Sequence, residues 1–182
     1  MNAQLAGQAR GYFPSFIRKT DQERVQNQFK RMRPEHFEDL YEVTLKVDGS
    51  SCTFYYNEGV AGVCSRNLEL KTDDANADNA FVKMFRELDI ENKLKAYGKN
   101  IAIQGELFGE GINGNWEGIK GHKFMVFDIF NIDKQKYISA EERYNICEYL
   151  ELSHVPVIIL STDLSDFETV QDFLDCATRP SI

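Results

Sequence analysis

The segment Lys46-Val47-Asp48-Gly49 combines a lysine with an acidic turn at the end of an alternating run. A lysine amine attacks phosphorus only after losing its proton, and burial or a nearby cation favours that loss. Asp-Gly between two alternating runs is also the strongest short signal of a β-hairpin turn, which requires no catalysis. Taken alone, the segment is therefore compatible with a nucleophile or with an ordinary hairpin.

Glu106 is the second candidate, because it lies in an apolar run between Gly105 and Gly109. Glycines on either side allow backbone or ligand to approach closely, so the carboxylate lies either at a sheet edge or in a pocket. The glycine-rich segment that follows ends in Trp116, the single tryptophan of the chain. A tryptophan in such a loop indicates a binding surface, and the plainer alternative is a flexible surface connection.

Two further runs end in residues that could bind a nucleotide. Phe127 lies in a strongly apolar run; a core position is its ordinary interpretation, and stacking on a purine is the alternative. Arg66 and Asn67 end another run. The arginine could bind phosphate through its fork of N–H donors or form a surface ion pair.

Periodic patterns place these residues in a mixed α+β fold with mostly antiparallel sheets. Residues 41–47 alternate as a strand with Glu42, Thr44 and Lys46 on one side. The following runs continue this strand into an antiparallel meander, and the run at 155–160 predicts a buried strand. The other predicted strands are 51–56, 60–66, 101–108 and 123–132.

Capping signals predict four helices that flank the sheets. Thr20 and Glu23 form a capping box that opens the first helix. The other three are predicted from Asp78 to Gly98, from Ser139 through Leu150, and at 166–176.

Composition narrows the class of protein. With 182 residues and 42% hydrophobic content, the chain can form one domain with a core. No apolar run approaches the roughly 20 residues of a membrane span, and no signal peptide is recognisable, so a cytoplasmic protein without membrane contact is predicted. The four cysteines and three histidines are dispersed and form no zinc pattern. The net charge of −8 favours a small-molecule enzyme or a protein partner over a nucleic-acid binder.

The order and spacing of four motifs resemble motifs I, Ia, III and IIIa of the covalent nucleotidyltransferases, namely KVDG, SRN, GELFG and FMVFDIF. That superfamily contains RNA ligases, DNA ligases and mRNA capping enzymes. The stretches FPSFIRKTDQERVQN, EVTLKVDGSS and GELFGEGINGN are similar to ATP-dependent RNA ligases related to those of Deinococcus and Naegleria, and the resemblance spans about Phe13 to Pro180. Ser50-Ser51 stands where DNA ligases and capping enzymes usually carry an arginine, which disfavours both.

The resemblance implies that Lys46 attacks the α-phosphate of ATP and carries AMP. AMP then passes to an RNA 5′-phosphate, and a 3′-hydroxyl displaces it to seal the strand. Asp48 and Glu106 would hold Mg²⁺ or Mn²⁺ through water, with Glu106 also near the ribose and Phe127 stacked on adenine. The remaining nucleotide contacts implied are Glu42, Thr44 and Leu45 around adenine, Gly49 in the turn, and Arg66 and Asn67 near ribose or phosphate.

The implied fold is a nucleotidyltransferase core of the ligase type (ATP-grasp-like) over residues 1–182, with residues 1–12 as a flexible segment. In the family an oligonucleotide-binding-fold domain usually precedes this core, and motifs IV and V follow it. Because the sequence stops at Ile182, we expect a C-terminally incomplete core that acts on RNA ends in a nicked duplex. Two alternatives stay open: a non-catalytic module that binds nucleotides or RNA ends, and the adenylation domain of a DNA ligase.

Overall fold

The computed structural model describes residues 7–36, 38–116, 118–163, 165 and 167–178, without the side chains of residues 32–35. The chain divides into two compact units. The larger unit comprises Met1–Thr20 and Lys46–Val155, and the smaller comprises Asp21–Leu45 and Pro156–Ile182. None of the helices in the described ranges has the length and apolar character needed to cross a membrane.

Strands and helices follow one another in runs along the chain, and the sheets are antiparallel, which confirms the mixed α+β class. The strands are β1 (Ala9–Tyr12), β2 (Tyr41–Thr44), β3 (Ser50–Asn57), β4 (Val60–Cys64), β5 (Leu68–Leu70), β6 (Ile101–Gly109), β7 (His122–Asn131), β8 (Lys136–Tyr137) and β9 (Val157–Thr162). The α-helices are α1 (Val25–His36), α2 (Ala80–Glu87), α3 (Ile90–Tyr97), α4 (Ala140–Tyr149) and α5 (Val170–Ala177), and Asp74–Asn76 form a short 3₁₀ helix.

Seven strands of the larger unit form one sheet in the order β1-β5-β4-β3-β6-β7-β8. Every neighbouring pair is antiparallel. Cross-strand partners place Ser51 of β3 opposite Glu106 of β6, and Glu106 opposite Met125 of β7. Because successive side chains of a strand point to opposite faces, these three share one face of the sheet, called here the site face.

The opposite face of the sheet carries the main hydrophobic core. Side chains of β3, β6 and β7 pack there with those of α2, α3 and α4 in one buried cluster. Phe54 lies at its centre, fully buried, with its ring centroid 4.6 Å from that of Phe124 and 5.8 Å from that of Phe85. Burial of large apolar side chains is the dominant favourable term in folding, so this cluster fixes the strands that carry the site face.

The N-terminal segment lies along the site face. Ile17 is buried with Tyr55, Ala102 and Phe130. Next to it the fully buried side chain of Gln104 donates through Nε2 to the backbone carbonyl of Arg18 at 2.6 Å. The segment thereby covers one half of the site face and leaves the half around Glu106 less buried.

The smaller unit pairs β2 with β9 in an antiparallel two-stranded sheet and packs α1 with α5. Its aromatic centre is Phe173, stacked on Phe167 at 4.1 Å and meeting Phe29 edge-on at 5.6 Å. Thr169 caps α5 and forms a capping box with Asp172. The predicted helix at 166–176 is thus confirmed from Val170 onward, and Asp166 lies outside the described residues.

Three strand predictions require correction. The strand predicted over 41–47 ends at Thr44, so Lys46 does not lie in it. The Asp48-Gly49 hairpin is wrong, because β2 pairs with β9 and β3 pairs with β4 and β6. The strand predicted as buried at 155–160 is β9, in which Leu160 is 72% exposed. The predictions for β6 and β7 are confirmed.

Two helix predictions also differ. The capping box at Thr20 is wrong: α1 begins at Val25, and the Thr20 hydroxyl hydrogen-bonds Ser51 at 2.8 Å. The single helix predicted from Asp78 is two helices, because Asp89 adopts a left-handed conformation (φ 52°) between them, and Asn79 caps the first. Gly98 ends α3 as predicted. Residues 9–12 form β1, although we expected a flexible segment over residues 1–12.

We predict that Gly105→Ala destabilises the larger unit by about 1–3 kcal/mol, the usual cost of overpacking a close-packed site. A Cβ at Gly105 would collide with the Met125 carbonyl oxygen and approach the Phe124 ring to 2.5 Å. Gly11→Ala is the matched control, because nothing lies within 4 Å of its added Cβ. Urea unfolding followed by circular dichroism measures both. Equal stability of the two variants would contradict the close approach of β6 and β7.

Candidate active site

Residues 46–49 cross into the larger unit as an extended segment outside the strands. Val47 is buried and packs with Phe108 and Val155. Its two neighbours, Lys46 and Asp48, are exposed. The buried valine therefore fixes the segment, and the two charged side chains face away from the core on either side of it.

Gly49 allows this segment to lie directly on β6. A Cβ at this position would collide with the carbonyl oxygen of Leu107 and would lie 2.8 Å from the Cβ of Phe108. Any larger residue would push the segment away from the strand. The glycine therefore serves a close approach of two backbones, which is a different requirement from the hairpin turn expected at this position.

Glu106 is half-buried on the site face, and its pKa is raised. Burial is the largest cause, because it disfavours the charged carboxylate. Lys46 and a hydrogen bond from the backbone N–H of Gly49 act in the opposite direction, and Asp48 raises the pKa further. These influences require short range, so the structure brings Lys46, Asp48, Gly49 and Glu106 into one site.

Two carboxylates of this site offer oxygen ligands, which Mg²⁺ and Mn²⁺ prefer. The repulsion between Asp48 and Glu106 is the kind that a bound divalent cation relieves. Over the described ranges no three His, Cys, Asp or Glu side chains group as a metal site. The donor set thus fits a cation that keeps several water ligands, as Mg²⁺ usually does, better than one enclosed by protein.

Phe127 lies on the site face at a β-bulge. The pairing of β6 with β7 shifts between Gln104 and Gly105, which leaves Phe127 as the extra residue of β7. Its half-buried ring packs with the cluster of Val47, Phe108 and Val155. One edge of that cluster is therefore an aromatic surface on the same face as Glu106.

Arg143 of α4 holds the chain beside this bulge. Its Nε donates to Nε2 of His154 at 2.8 Å, and its Nη1 lies 3.8 Å from a carboxylate oxygen of Asp128. Arginine only donates, so Nε2 of His154 accepts, and Nδ1–H donates to the carbonyl of Val155 at 2.5 Å. His154 in turn forms a parallel bridge with Val126, directly before Phe127.

The other predicted nucleotide-binding residues fall into two groups. Arg66 and Asn67 are exposed in the turn between β4 and β5, where Lys19 donates to the side-chain oxygen of Asn67 at 3.1 Å. Glu42, Thr44 and Leu45 belong to the smaller unit, and Leu45 N–H donates to the carbonyl of Pro156 at 2.8 Å.

Asn113 is a site residue that sequence patterns missed. Its side-chain amide donates to the backbone carbonyl of Gly49, and this bond joins the loop between β6 and β7 to the lysine segment. The only sequence signal is an asparagine within a glycine-rich loop, and this signal is equally typical of a turn.

The family described as RNA ligase matches residues 39–177 of this chain. Among curated proteins, no match is found. Several solved structures are similar, among them structures of the RNA ligase of Naegleria gruberi. The structure with PPi is 38% identical, with a TM-score of 0.88, and the match covers 100% of this chain and 53% of that chain.

Two variants of the same ligase are similar to a comparable degree. The match to one with AMP and Mn has 38% identity, a TM-score of 0.88, and covers 98% of this chain and 53% of that chain. The match to one with ATP and Mn has 39% identity, a TM-score of 0.82, and covers 91% and 48%. The chain therefore has the fold of the ligase nucleotidyltransferase core and spans about half the length of these structures.

We predict that Glu106→Gln stabilises the chain at pH 7 in EDTA. The expected gain is only about 0.5 kcal/mol, because solvent screens the charge of a half-exposed carboxylate. A carboxyl whose pKa is raised by folding binds its proton more tightly in the folded state. The stability that it contributes is present at low pH and is lost as the pH rises through the folded pKa. Urea unfolding at pH 4 and pH 7 should show the gain only at pH 7; a loss at pH 7 would contradict it.

We also predict that Arg143→Met destabilises the chain by about 2 kcal/mol, because the substitution removes the hydrogen bond from the buried guanidinium group to the partly buried ring of His154. Arg86→Met is the control, since its ion pair with Asp74 is exposed and such pairs contribute about 0–1 kcal/mol. Circular dichroism in urea suits both variants, because Trp116 is too exposed to report on the core. An Arg143 variant as stable as the Arg86 variant would show that the bulge is held without this network.

Proposed function

The chain belongs to the RNA ligase family, and from that premise we propose that it joins RNA ends at the expense of ATP through a covalent AMP adduct on Lys46. The proposal rests above all on the coupling of Lys46, Asp48 and Gly49 to the half-buried carboxylate of Glu106. The chain spans about half the length of its solved relatives, and we therefore propose its activity, substrates and partners from the family to which it belongs.

In the first step the neutral amine of Lys46 attacks the α-phosphorus of ATP. The new N–P bond forms as the P–O bond to the β-phosphate breaks, pyrophosphate leaves with that electron pair, and the amine proton passes to solvent. A nearby cation is the expected means of forming the neutral amine. Positioning and charge neutralisation carry most of the catalysis in phosphoryl transfer.

Asp48 and Glu106 would hold Mg²⁺ or Mn²⁺ through water beside the phosphates. When bound, the metal would supply neutralisation of the phosphate charge that develops in the step. Gly49 N–H keeps the Glu106 carboxylate in place, and the exposure of Asp48 leaves room for water ligands.

Phe127 would stack on adenine, which is supported by its half-buried ring on the same face as Glu106. Arg66 and Asn67 would contact ribose or phosphate from the turn between β4 and β5. The implied adenine pocket of Glu42, Thr44 and Leu45 stays a proposal that rests on the resemblance.

In the second step a 5′-phosphate oxygen of RNA attacks the AMP phosphorus, the N–P bond breaks, and Lys46 leaves as the amine after its nitrogen takes a proton from solvent. In the third step a 3′-hydroxyl attacks the 5′-phosphate phosphorus and gives its proton to solvent, and AMP leaves with the electrons of the broken P–O bond. We propose a nicked RNA duplex as the substrate. A C-terminal segment with motifs IV and V and an oligonucleotide-binding-fold domain would complete the enzyme, in keeping with the half-length coverage. The cytoplasmic location stays a prediction from sequence.

We predict that ATP labelled at the α-phosphate transfers label to the chain with Mn²⁺ or Mg²⁺, and that Lys46→Ala abolishes this transfer. Lys71→Ala is the matched control, because Lys71 is an exposed lysine that donates to the backbone of Gly7, away from the site. Gel autoradiography measures both. Addition of pyrophosphate or of a 5′-phosphorylated nicked RNA should then remove the label.

Label that persists in Lys46→Ala would contradict the nucleophile. If calorimetry shows that the wild-type chain binds ATP and yet gives no adduct in intact mass, the chain by itself is a binding module. If a nick with a deoxyribose 3′-hydroxyl strand accepts label and seals as well as one with ribose, the chain does not distinguish RNA from DNA.

A further inference from the structure

The loop between β6 and β7 holds an aromatic side chain in solvent close to the site. Trp116 is 81% exposed, and it is the single tryptophan of the sequence. Isolated exposed apolar side chains are common on protein surfaces, so exposure alone does not indicate a ligand. The proposed chemistry assigns nothing to this ring, because adenine is placed on Phe127.

The loop presents Trp116 in a defined position. Asn115 exchanges two hydrogen bonds with Ile119, its amide donating at 2.9 Å and its carbonyl oxygen accepting at 3.0 Å. The tryptophan ring lies beside Gly114, where an added Cβ would be 3.6 Å from it. At the base of the loop, Glu110 N–H donates to the Gly121 carbonyl at 2.9 Å. A loop backbone held in this way loses little further freedom when the loop binds a ligand.

The same loop is attached to the lysine segment. Asn113, three residues before Trp116, donates to the carbonyl of Gly49. Gly49 also donates through its N–H to Glu106. A ligand that binds Trp116 therefore contacts a loop that is hydrogen-bonded to the backbone of the segment carrying the proposed nucleophile.

We propose that Trp116 stacks on a nucleobase of the RNA strand whose end is brought to Lys46; this inference rests on the proposed function. Base stacking on an aromatic ring is independent of sequence, as joining different RNA ends requires. Lys120 and Lys123 are exposed at the C-terminal side of the loop, and Lys123 pairs with Phe108 in the site-face register. Two exposed cations in the stretch of chain that follows the ring suit the phosphates of RNA.

Stacking of a base on an aromatic ring does not require a cationic surface. With a net charge of −8, the chain cannot rely on a general excess of cations to attract phosphate. A protein partner would call for an apolar surface around the ring. The described part of the loop contains no other exposed large hydrophobic side chain, since Ile112 and Ile119 are both partly buried.

Fluorescence tests the proposal on the wild-type chain, because all tryptophan emission comes from Trp116. A nicked RNA duplex with a 5′-phosphate, added in EDTA without ATP, should quench the emission and protect it from acrylamide. ATP alone should leave the emission unchanged. An RNA duplex that binds by gel shift without changing the emission would overturn the proposal, as would quenching by ATP alone.

Binding of the same RNA to variants is the second measurement. Trp116→Ala should weaken the affinity by roughly 5- to 150-fold, the range expected for loss of one base–aromatic stack, and Trp116→Phe should retain part of it. Tyr149→Ala, which removes an exposed aromatic ring in α4, is the control and should bind as the wild type does. Equal affinity of Trp116→Ala and Tyr149→Ala would overturn the proposal.

Labelling of Lys46 by ATP is measured in parallel and separates the two ideas. A chain that labels but shows no RNA-dependent change at Trp116 overturns the stacking contact alone. A chain that shows the RNA-dependent change without labelling supports the contact and contradicts the catalytic proposal.

Discussion

The rest of the site depends on one constraint, the half-buried carboxylate of Glu106 where β6 pairs with β3. Ser51 lies opposite Glu106 in that pairing, and the residue two places before Ser51 is Gly49, pressed against the backbone of Leu107. The register therefore decides that the N–H of Gly49 meets the Glu106 carboxylate. Because Asp48 and Lys46 closely precede Gly49 in the chain, that hydrogen bond also brings both charges close enough to change the pKa of Glu106.

One face of the sheet carries the main hydrophobic core, and the other carries the proposed site. Apolar side chains of three helices cover one face, whereas the other face combines a small cluster around Val47 with the charges of Lys46 and Glu106. Desolvation of a carboxylate costs free energy, and the apolar core must offset that cost. The bulge at Phe127 belongs to the same division, because the extra residue lies on the site face while Val126 and Ile129 pack in the core on the opposite face.

Local sequence patterns revealed the strands β6 and β7 and the caps at Ser139 and Gly98, because each depends on neighbouring residues. They missed the end of β2 at Thr44. The alternation continues to Val47, but β2 pairs with β9, more than a hundred residues away, and no local pattern contains that partner. Motif order predicted that Lys46, Asp48, Gly49 and Glu106 form one site, and the influences of the first three on the pKa of Glu106 support that prediction. The bond from Asn113 to Gly49 depends on loop geometry that sequence does not encode locally.

The coupling of these charges can be measured directly by a carbon-13 NMR titration of the Glu106 carboxyl group in the metal-free chain. We expect a pKa above that of an ordinary glutamate, which rises further in Lys46→Met and falls in Asp48→Asn, because Lys46 lowers the pKa and Asp48 raises it. An ordinary pKa that neither substitution moves would show that these residues do not form one site.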